Sequence, residues 1–428
     1  MRYINIAHPE QVVSFTEALV MGLGRGQGLF FPEKLKPFEN IQELLEMDFI
    51  TRSSAILQYL IGPAMNAEDI RESVESAFDF PVELKQVSDQ SGETVYALEL
   101  FHGPSLAFKD FGARFMAQCL TRLGSKKRIT ILTATSGDTG AAVAQAFYQQ
   151  PGIDVVVLYP KGMVTPLQEK MFCTLGDNIH TIAIEDNFDA CQQLVKQSFD
   201  DQELVNTVGL NSANSINVAR LLAQVCYYFE AVAQLPTASE TVFCVPSGNF
   251  GNVTAGLLAC ALGLPIKNII AATNSNDTVP RFLKSGRWEP QATVATLTNA
   301  MDISLPNNFP RVLELGDRHQ LSLTDLLSST SVDDEQTRTA VRQLDGMGYL
   351  ADPHSALAFK ALTGFLQAGE TGVFLCTAHP AKFRETLEET LNRKIQLPPE
   401  LLEVADKEVL SAVMPANFAQ LRKYLLKV

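Results

Sequence analysis

"RITILTATSGDTGAAVAQAF", residues 128–147, decides how this chain folds. It opens on a run of β-branched and apolar residues, as expected of a strand covered on both faces, and closes on small and apolar residues at helical spacing. Ser-Gly-Asp-Thr-Gly forms the turn between them. The unit recurs: "DVVVLYP" (154–160) precedes a helical pattern at 166–175, and "IHTIAI" (179–184) one at 188–200. The short "VGLNS" (208–212) feeds a long apolar helix, "SINVARLLAQVCYYFEAVAQL" (215–235). "TVFCVP" (241–246), "NIIAAT" (268–273) and "GVFLCT" (372–377) each lead into a further helix. Strands alternating with amphipathic helices predict an α/β protein of two lobes, each a parallel-type sheet with helices on both faces.

We divide the chain into a mixed N-terminal segment at 1–97, a smaller α/β lobe at 98–235 and a larger one at 236–428, with the boundary in the polar turn "PTASE" (236–240). The first segment carries helical patterns at 10–21, 40–48, 50–62 and 67–78 and a strand at 95–100. Residues 286–332, rich in Thr, Asn, Pro and Ser without a clear period, suggest a loop-rich cover over a site. The last thirty residues suggest packed surface helices.

Composition narrows the function classes. The 428 residues are 46% hydrophobic and 19% charged, enough for a large core. A net charge of -14 and a pI near 5.0, with no basic run, argue against nucleic acid or an anionic membrane as partner. Seven scattered cysteines without a C-x-x-C pair fit reduced core residues of a cytoplasmic protein. Six histidines without metal-ligand spacing give no reason to expect a metal. The opening "MRYINIAHPEQVVSF" has no signal-peptide character, and no apolar run reaches bilayer length.

The chemistry concentrates in four places. In "LELFHGPSLAFKDFGARF" (98–115), Lys109 sits between a Gly-Pro turn and the first turn of a helix, flanked by Phe108 and Phe111. It is either a helix-capping surface lysine or one held partly unprotonated to form a Schiff base, since desolvation and a helix N-terminus both disfavour ammonium. The other three are strand-to-helix turns: "TATSGDTGAA" (133–142), "LNSANSIN" (210–217) and "VPSGNFGNVT" (245–254). Such turns present free N–H groups at a positive helix end and suit anions. No G-x-x-x-x-G-K-[ST] and no G-x-S-x-G is present, so P-loop transfer and hydrolase elbows lack their defining parts. "GLGRGQGLFFP" (22–32) follows a helix instead of a strand, and its own pattern is that of a helix C-cap and connection.

In order along the chain, "GLGRGQGLFFP", "FHGPSLAFKDFG", "TATSGDTGAA", "NSANSIN", "PSGNFGN" and "TAHPAKF" resemble the motifs of the threonine synthases. These pyridoxal phosphate (PLP) enzymes share the tryptophan synthase β-like fold with the serine and threonine dehydratases. The resemblance implies that Lys109 carries the cofactor and moves protons, that Gly248, Asn249, Phe250 and Asn252 cup its phosphate, and that Thr377 faces its pyridine nitrogen. It also implies O-phosphohomoserine as substrate, bound among Ser136, Thr139, Ser212, Asn214 and Arg220. Water would convert it to L-threonine and phosphate by γ-elimination and β-hydration. Asp138 stands where many related enzymes carry Asn, and its role is open. The alternatives are a dehydratase-type lyase needing no second phosphate site, and a phosphometabolite-binding protein without catalysis. Monomer and homodimer are both compatible with the sequence.

Overall fold

Strand Ile153–Pro160 is buried along its whole length, which is why its sequence shows no polar alternation. It lies at the centre of a fully parallel five-stranded sheet in a computed structural model that describes residues 1–87, 94–123, 128–236 and 240–428. The order across this sheet is Ala412–Met414, Ile179–Ile184, Ile153–Pro160, Ile129–Ala134, Leu210–Ser212. A six-stranded sheet runs Leu327–Ser331, Asn268–Thr273, Thr241–Pro246, Thr371–Cys376, Thr94–Glu99, Glu83–Val87, with only the last strand antiparallel. A small antiparallel sheet joins His8–Ser14, Arg2–Asn5 and Phe30–Pro32.

The expected α/β architecture, with helices on both faces of parallel sheets, is present. Sheet membership cuts across the three sequence segments, however. Glu83–Val87 and Thr94–Glu99 join the six-stranded sheet, and Ala412–Met414 joins the five-stranded one. The main chain therefore passes between the two large sheets three times: at 100–128, at 213–240 and at 377–411. Thr237, Ala238 and Ser239 of the expected boundary turn lie outside the described residues.

Four local expectations are corrected. The pattern at 10–21 divides into strand His8–Ser14 and helix Phe15–Met21, because Ser14 and Glu17 close a capping box at that point. The apolar stretch 215–235 is two helices, Val218–Ala223 and Val225–Gln234, broken where the Gln224 N–H donates to Leu221 O at 3.1 Å. Region 286–332 is irregular over 287–308 apart from the short turn Asn299–Met301, as expected, but then forms helix Phe309–Asp317 and strand Leu327–Ser331, which extends the six-stranded sheet. The C-terminal stretch supplies a strand as well as helices.

One continuous apolar core spans both large sheets, and a second lies between the five-stranded sheet and helices Phe188–Asp200 and Phe418–Leu425. All seven cysteines are free thiols and six are buried. Among the described residues, no helix is long and apolar enough to cross a membrane. Helix Lys109–Leu123 packs on Asp138–Phe147 and Val218–Ala223. Gly112 permits that approach, since a Cβ there would lie 2.8 Å from the Arg220 carbonyl oxygen.

Candidate active site

Strand ends from both large sheets open onto a cavity of about 570 Å³, where ligands bind in open α/β sheets. All eleven residues singled out from the sequence line it: Lys109, Ser136, Thr139, Ser212, Asn214, Arg220, Gly248, Asn249, Phe250, Asn252 and Thr377.

Lys109 is the first residue of helix Lys109–Leu123. Its position is set by the preceding backbone, which runs against the end of strand Thr371–Cys376. Phe108 N donates to Thr377 O at 2.9 Å, and His379 N donates to Leu106 O at 3.0 Å. Leu106 takes a left-handed φ of 54° to make this junction, a conformation a branched side chain adopts only where its surroundings impose it. The flanking aromatics have separate jobs. Phe111 is buried against Phe78, Phe80 and Tyr227, while the Phe108 ring lies 5.8 Å from Lys109 Nζ. Burial draws the Lys109 pKa down to about 8; Asp138 opposes this, and Lys382 and Arg220 reinforce it.

The 133–142 turn is shaped by Thr135, whose hydroxyl accepts from Gly137 N at 2.9 Å and Gly140 N at 2.8 Å. Ser136 and Thr139 line the cavity at the start of helix Asp138–Phe147. The open question about Asp138 has a structural answer: its Oδ1 meets Lys382 Nζ at 2.6 Å and accepts from Gln168 Nε2 at 2.9 Å. Burial pushes the Asp138 pKa up, but Lys382 and Lys109 outweigh it and hold the carboxyl well below its ordinary range. In the 210–217 turn, Asn214 Oδ1 accepts from the Thr133 hydroxyl. The buried Arg220 donates from Nη1 to Ala213 O at 2.6 Å, and its Nε has no protein partner. Burial lowers its pKa to about 10, with Asp110 opposing.

The 245–254 turn ends with Phe250 in the left-handed conformation, φ 59°, directly before helix Gly251–Ala261. That leaves the first N–H groups of the helix facing the cavity. Gly248 packs against the backbone of Met301, so closely that a Cβ would sit 2.6 Å from Met301 Cα. The Asn249 side chain joins other segments, donating to Ser215 Oγ at 2.6 Å and accepting from Asn307 N at 2.6 Å. Asn252 Oδ1 accepts from the hydroxyls of Tyr227 and Tyr228, both at 2.7 Å, leaving its buried Nδ2 without a partner.

Sequence reasoning missed the Asp352–His354 pair. Asp352 caps helix Pro353–Phe365 and accepts from His354 N; its Oδ1 also lies 2.8 Å from His354 Nδ1. His354 lines the cavity with its Nε2 buried and unpartnered. The available signal was "ADPHS", an Asp-Pro helix start, which carries no chemistry by itself.

The donor set fits PLP. A lysine of lowered pKa, a helix N-terminus behind a tight glycine, and three residues that each keep a buried side-chain nitrogen without a protein partner (Arg220 Nε, Asn252 Nδ2, His354 Nε2) line one cavity. Thr377, at the end of strand Thr371–Cys376, adds a hydroxyl to the wall.

Comparison with known proteins agrees. Residues 80–377 match the family model for pyridoxal-phosphate dependent enzymes, residues 2–78 that for the threonine synthase N terminus, and residues 355–425 that for the threonine synthase C-terminal region. The chain is 57% identical to threonine synthase of Haemophilus influenzae, covering all of both chains, and 56% identical to that of Escherichia coli, covering all of this chain and 99% of the other. The crystal structure of the Escherichia coli enzyme superimposes with a TM-score of 0.96 at 56% identity over the full length of both chains. A PLP-bound threonine synthase from Brucella melitensis gives 0.91 at 32% identity, covering 100% of this chain and 99% of that one. A cavity built for PLP and matches that run from one end of the chain to the other lead to one conclusion: the chain belongs to the threonine synthase family of PLP-dependent lyases.

Proposed function

We propose that the chain converts O-phosphohomoserine and water to L-threonine and inorganic phosphate, with PLP attached at Lys109. The observation that carries this reading is one buried lysine of lowered pKa in a cavity that three separate anion-suited turns also line. One turn, Gly248 to Asn252, serves the cofactor's phosphate. The other anion-suited positions, Ser136, Thr139, Ser212, Asn214 and Arg220, serve the substrate's carboxylate and phosphate.

When bound, PLP supplies an electron-accepting ring that acidifies the substrate's Cα and Cβ protons. The rest falls to the chain. Lys109 acts as a neutral amine that takes the Cα proton and later returns it, as its pKa of about 8 allows near neutral pH. Thr377 offers the pyridine nitrogen a hydroxyl in place of a carboxylate, so the site relies more heavily on the surrounding dipoles. The helix N-terminus at Asp138–Phe147 and the Arg220 guanidinium receive the charge that collects on phosphate as it leaves Cγ. A proton leaves Cβ, phosphate departs from Cγ with the C–O electron pair, Cγ takes up a proton, and water adds its hydroxyl at Cβ as Cα regains its proton.

The test is an assay of PLP-loaded protein with O-phosphohomoserine, following threonine and phosphate together. Equimolar release supports the reading; phosphate without threonine, or ketoacid formation from threonine alone, overturns it in favour of elimination. Lys109→Ala is expected to abolish turnover.

A further inference from the structure

Lys382 has no part in the roles assigned above, yet it is wholly buried and its ammonium has two oxygen partners: Asp138 Oδ1 at 2.6 Å and the Ser105 carbonyl at 2.7 Å. Asp138 is itself 5% exposed and shares the same oxygen with Gln168. A buried carboxylate next to an amine that has to surrender its proton works against the chemistry, because it favours the ammonium form. A cation fixed on that carboxylate cancels its field where screening by water is weak. We propose that Lys382 is a positioning residue of the reaction: it neutralises Asp138 so that Lys109 can work as a neutral amine.

The proposal rests on the assignment of Lys109 as the cofactor lysine. The charged groups that act on Lys109 come from three separate helices. Asp138 projects from the start of its helix, Arg220 from helix Val218–Ala223, and Lys382 from the short helix Pro380–Phe383. Asp110, on the lysine's own helix, is attracted by Lys382 and Arg220, and His354 acts on Asp138 from helix Pro353–Phe365. Burial exerts the largest force on Lys109; Asp138 opposes it, and Lys382 and Arg220 act with it. The signs follow. Removing the charge of Lys382 raises the Lys109 midpoint, and removing that of Asp138 lowers it. A lysine that merely packs would move neither.

The experiment has two readouts on the full chain. Borohydride reduction of PLP-loaded protein followed by peptide mapping tests the assignment. The pH dependence of Lys109 acetylation by acetic anhydride in cofactor-stripped protein, read by mass spectrometry, tests the proposal. The wild-type midpoint is expected near pH 8. Lys382→Met should move it up, and Asp138→Asn down, by about one unit each. Lys382→Arg, which keeps the charge, should restore the wild-type midpoint. If the single variant Lys382→Met does not fold, Asp138→Asn alone and the charge-free double variant decide: the first should be shifted down and the second should lie near wild type. Midpoints within about 0.3 unit of wild type in every folded single charge-removal variant, with cofactor still trapped on Lys109, overturn the proposal and leave the assignment standing. Trapping on another lysine removes the assignment and the proposal with it.

Discussion

The Gly248→Ala substitution tests whether the proposed cofactor cup is as tight as its backbone packing requires. A Cβ at 248 would lie 2.6 Å from Met301 Cα, 3.1 Å from its carbonyl oxygen and 3.2 Å from its carbonyl carbon. All three are main-chain atoms, so no rotamer change relieves the clash. Carbon atoms reach favourable contact only at about 3.5 Å, and the turn and the Asn299–Met301 segment must therefore separate by about 1 Å. The turn is also bonded to the chain that follows that segment, Asn307 N donating to Asn249 Oδ1 and Asn308 Nδ2 to Asn249 O, so the shift falls on the N–H groups proposed to hold the cofactor phosphate. Losing one hydrogen bond to a charged group costs about 1.5–3 kcal/mol, a roughly tenfold to hundredfold loss of PLP affinity. A displacement of that size should also lower kcat by about a hundredfold at saturating cofactor. Affinity is read by titrating cofactor-stripped protein and following the visible absorbance of the bound form. Gly364→Ala is the control, because nothing lies within 4 Å of a Cβ at that position and its affinity should be unchanged. Binding by Gly248→Ala within about threefold of wild type refutes the reasoning.

Three further outcomes are expected. Arg311, fully buried, donates to Phe30 O, Ile216 O and Asn308 Oδ1. Arg311→Met leaves these acceptors unpaired at about 1–3 kcal/mol each, partly offset by removal of a cation whose pKa burial already lowers to about 9. Urea unfolding should show a net loss of about 3 kcal/mol. Burial raises the Asp110 pKa to about 6 despite the hydrogen bond from Ser105. A carboxyl whose folded pKa exceeds its unfolded value stabilises the fold when protonated, a contribution complete below about pH 4 and lost as pH rises through about 6. Asp110→Asn should therefore unfold at higher urea than wild type near pH 8, by up to about 3 kcal/mol, with the gap closing near pH 4. Replacing both Tyr227 and Tyr228 with Phe frees the Asn252 amide, and PLP affinity measured by the same titration should fall about tenfold.

How much of this was legible depended on whether the signal was local. Parallel strands buried on both faces announce themselves as apolar runs, so the alternation from Ile129 onward was visible. Strand Glu83–Val87 was not: it is an edge strand of sequence ELKQV, half-exposed and mostly polar. His8–Ser14 has the same weakness, and its last residues merge with a helical pattern that Ser14 interrupts. The break at Gln224 lies inside a long, largely apolar stretch, where periodicity does not mark the end of one helix and the start of the next. Three turns and Lys109 stood out by their local composition, while the individual cavity residues, Thr377 among them, were named only through the resemblance to the threonine synthases. Lys382 lay within a quoted motif, but its partner is 244 positions away in sequence, at Asp138, and only the folded chain brings the two together. His354 differs again, since a buried histidine gains meaning only from the cavity it lines and the carboxylate beside it.

The three crossings between the large sheets all pass through the cavity wall: Phe108 and Lys109 lie on the first, Asn214 and Arg220 on the second, Thr377 on the third. No lever arm separates the sheets from the chemistry, so a relative tilt of the two is felt at once as a widening or narrowing of the cavity. A molecule filling that space acts as a brace, coupling two bodies of chain through their shared ligaments. Its stiffening effect should reach strands that it never touches, and slower amide exchange at the buried centres of both sheets would register the occupancy of a site many residues away.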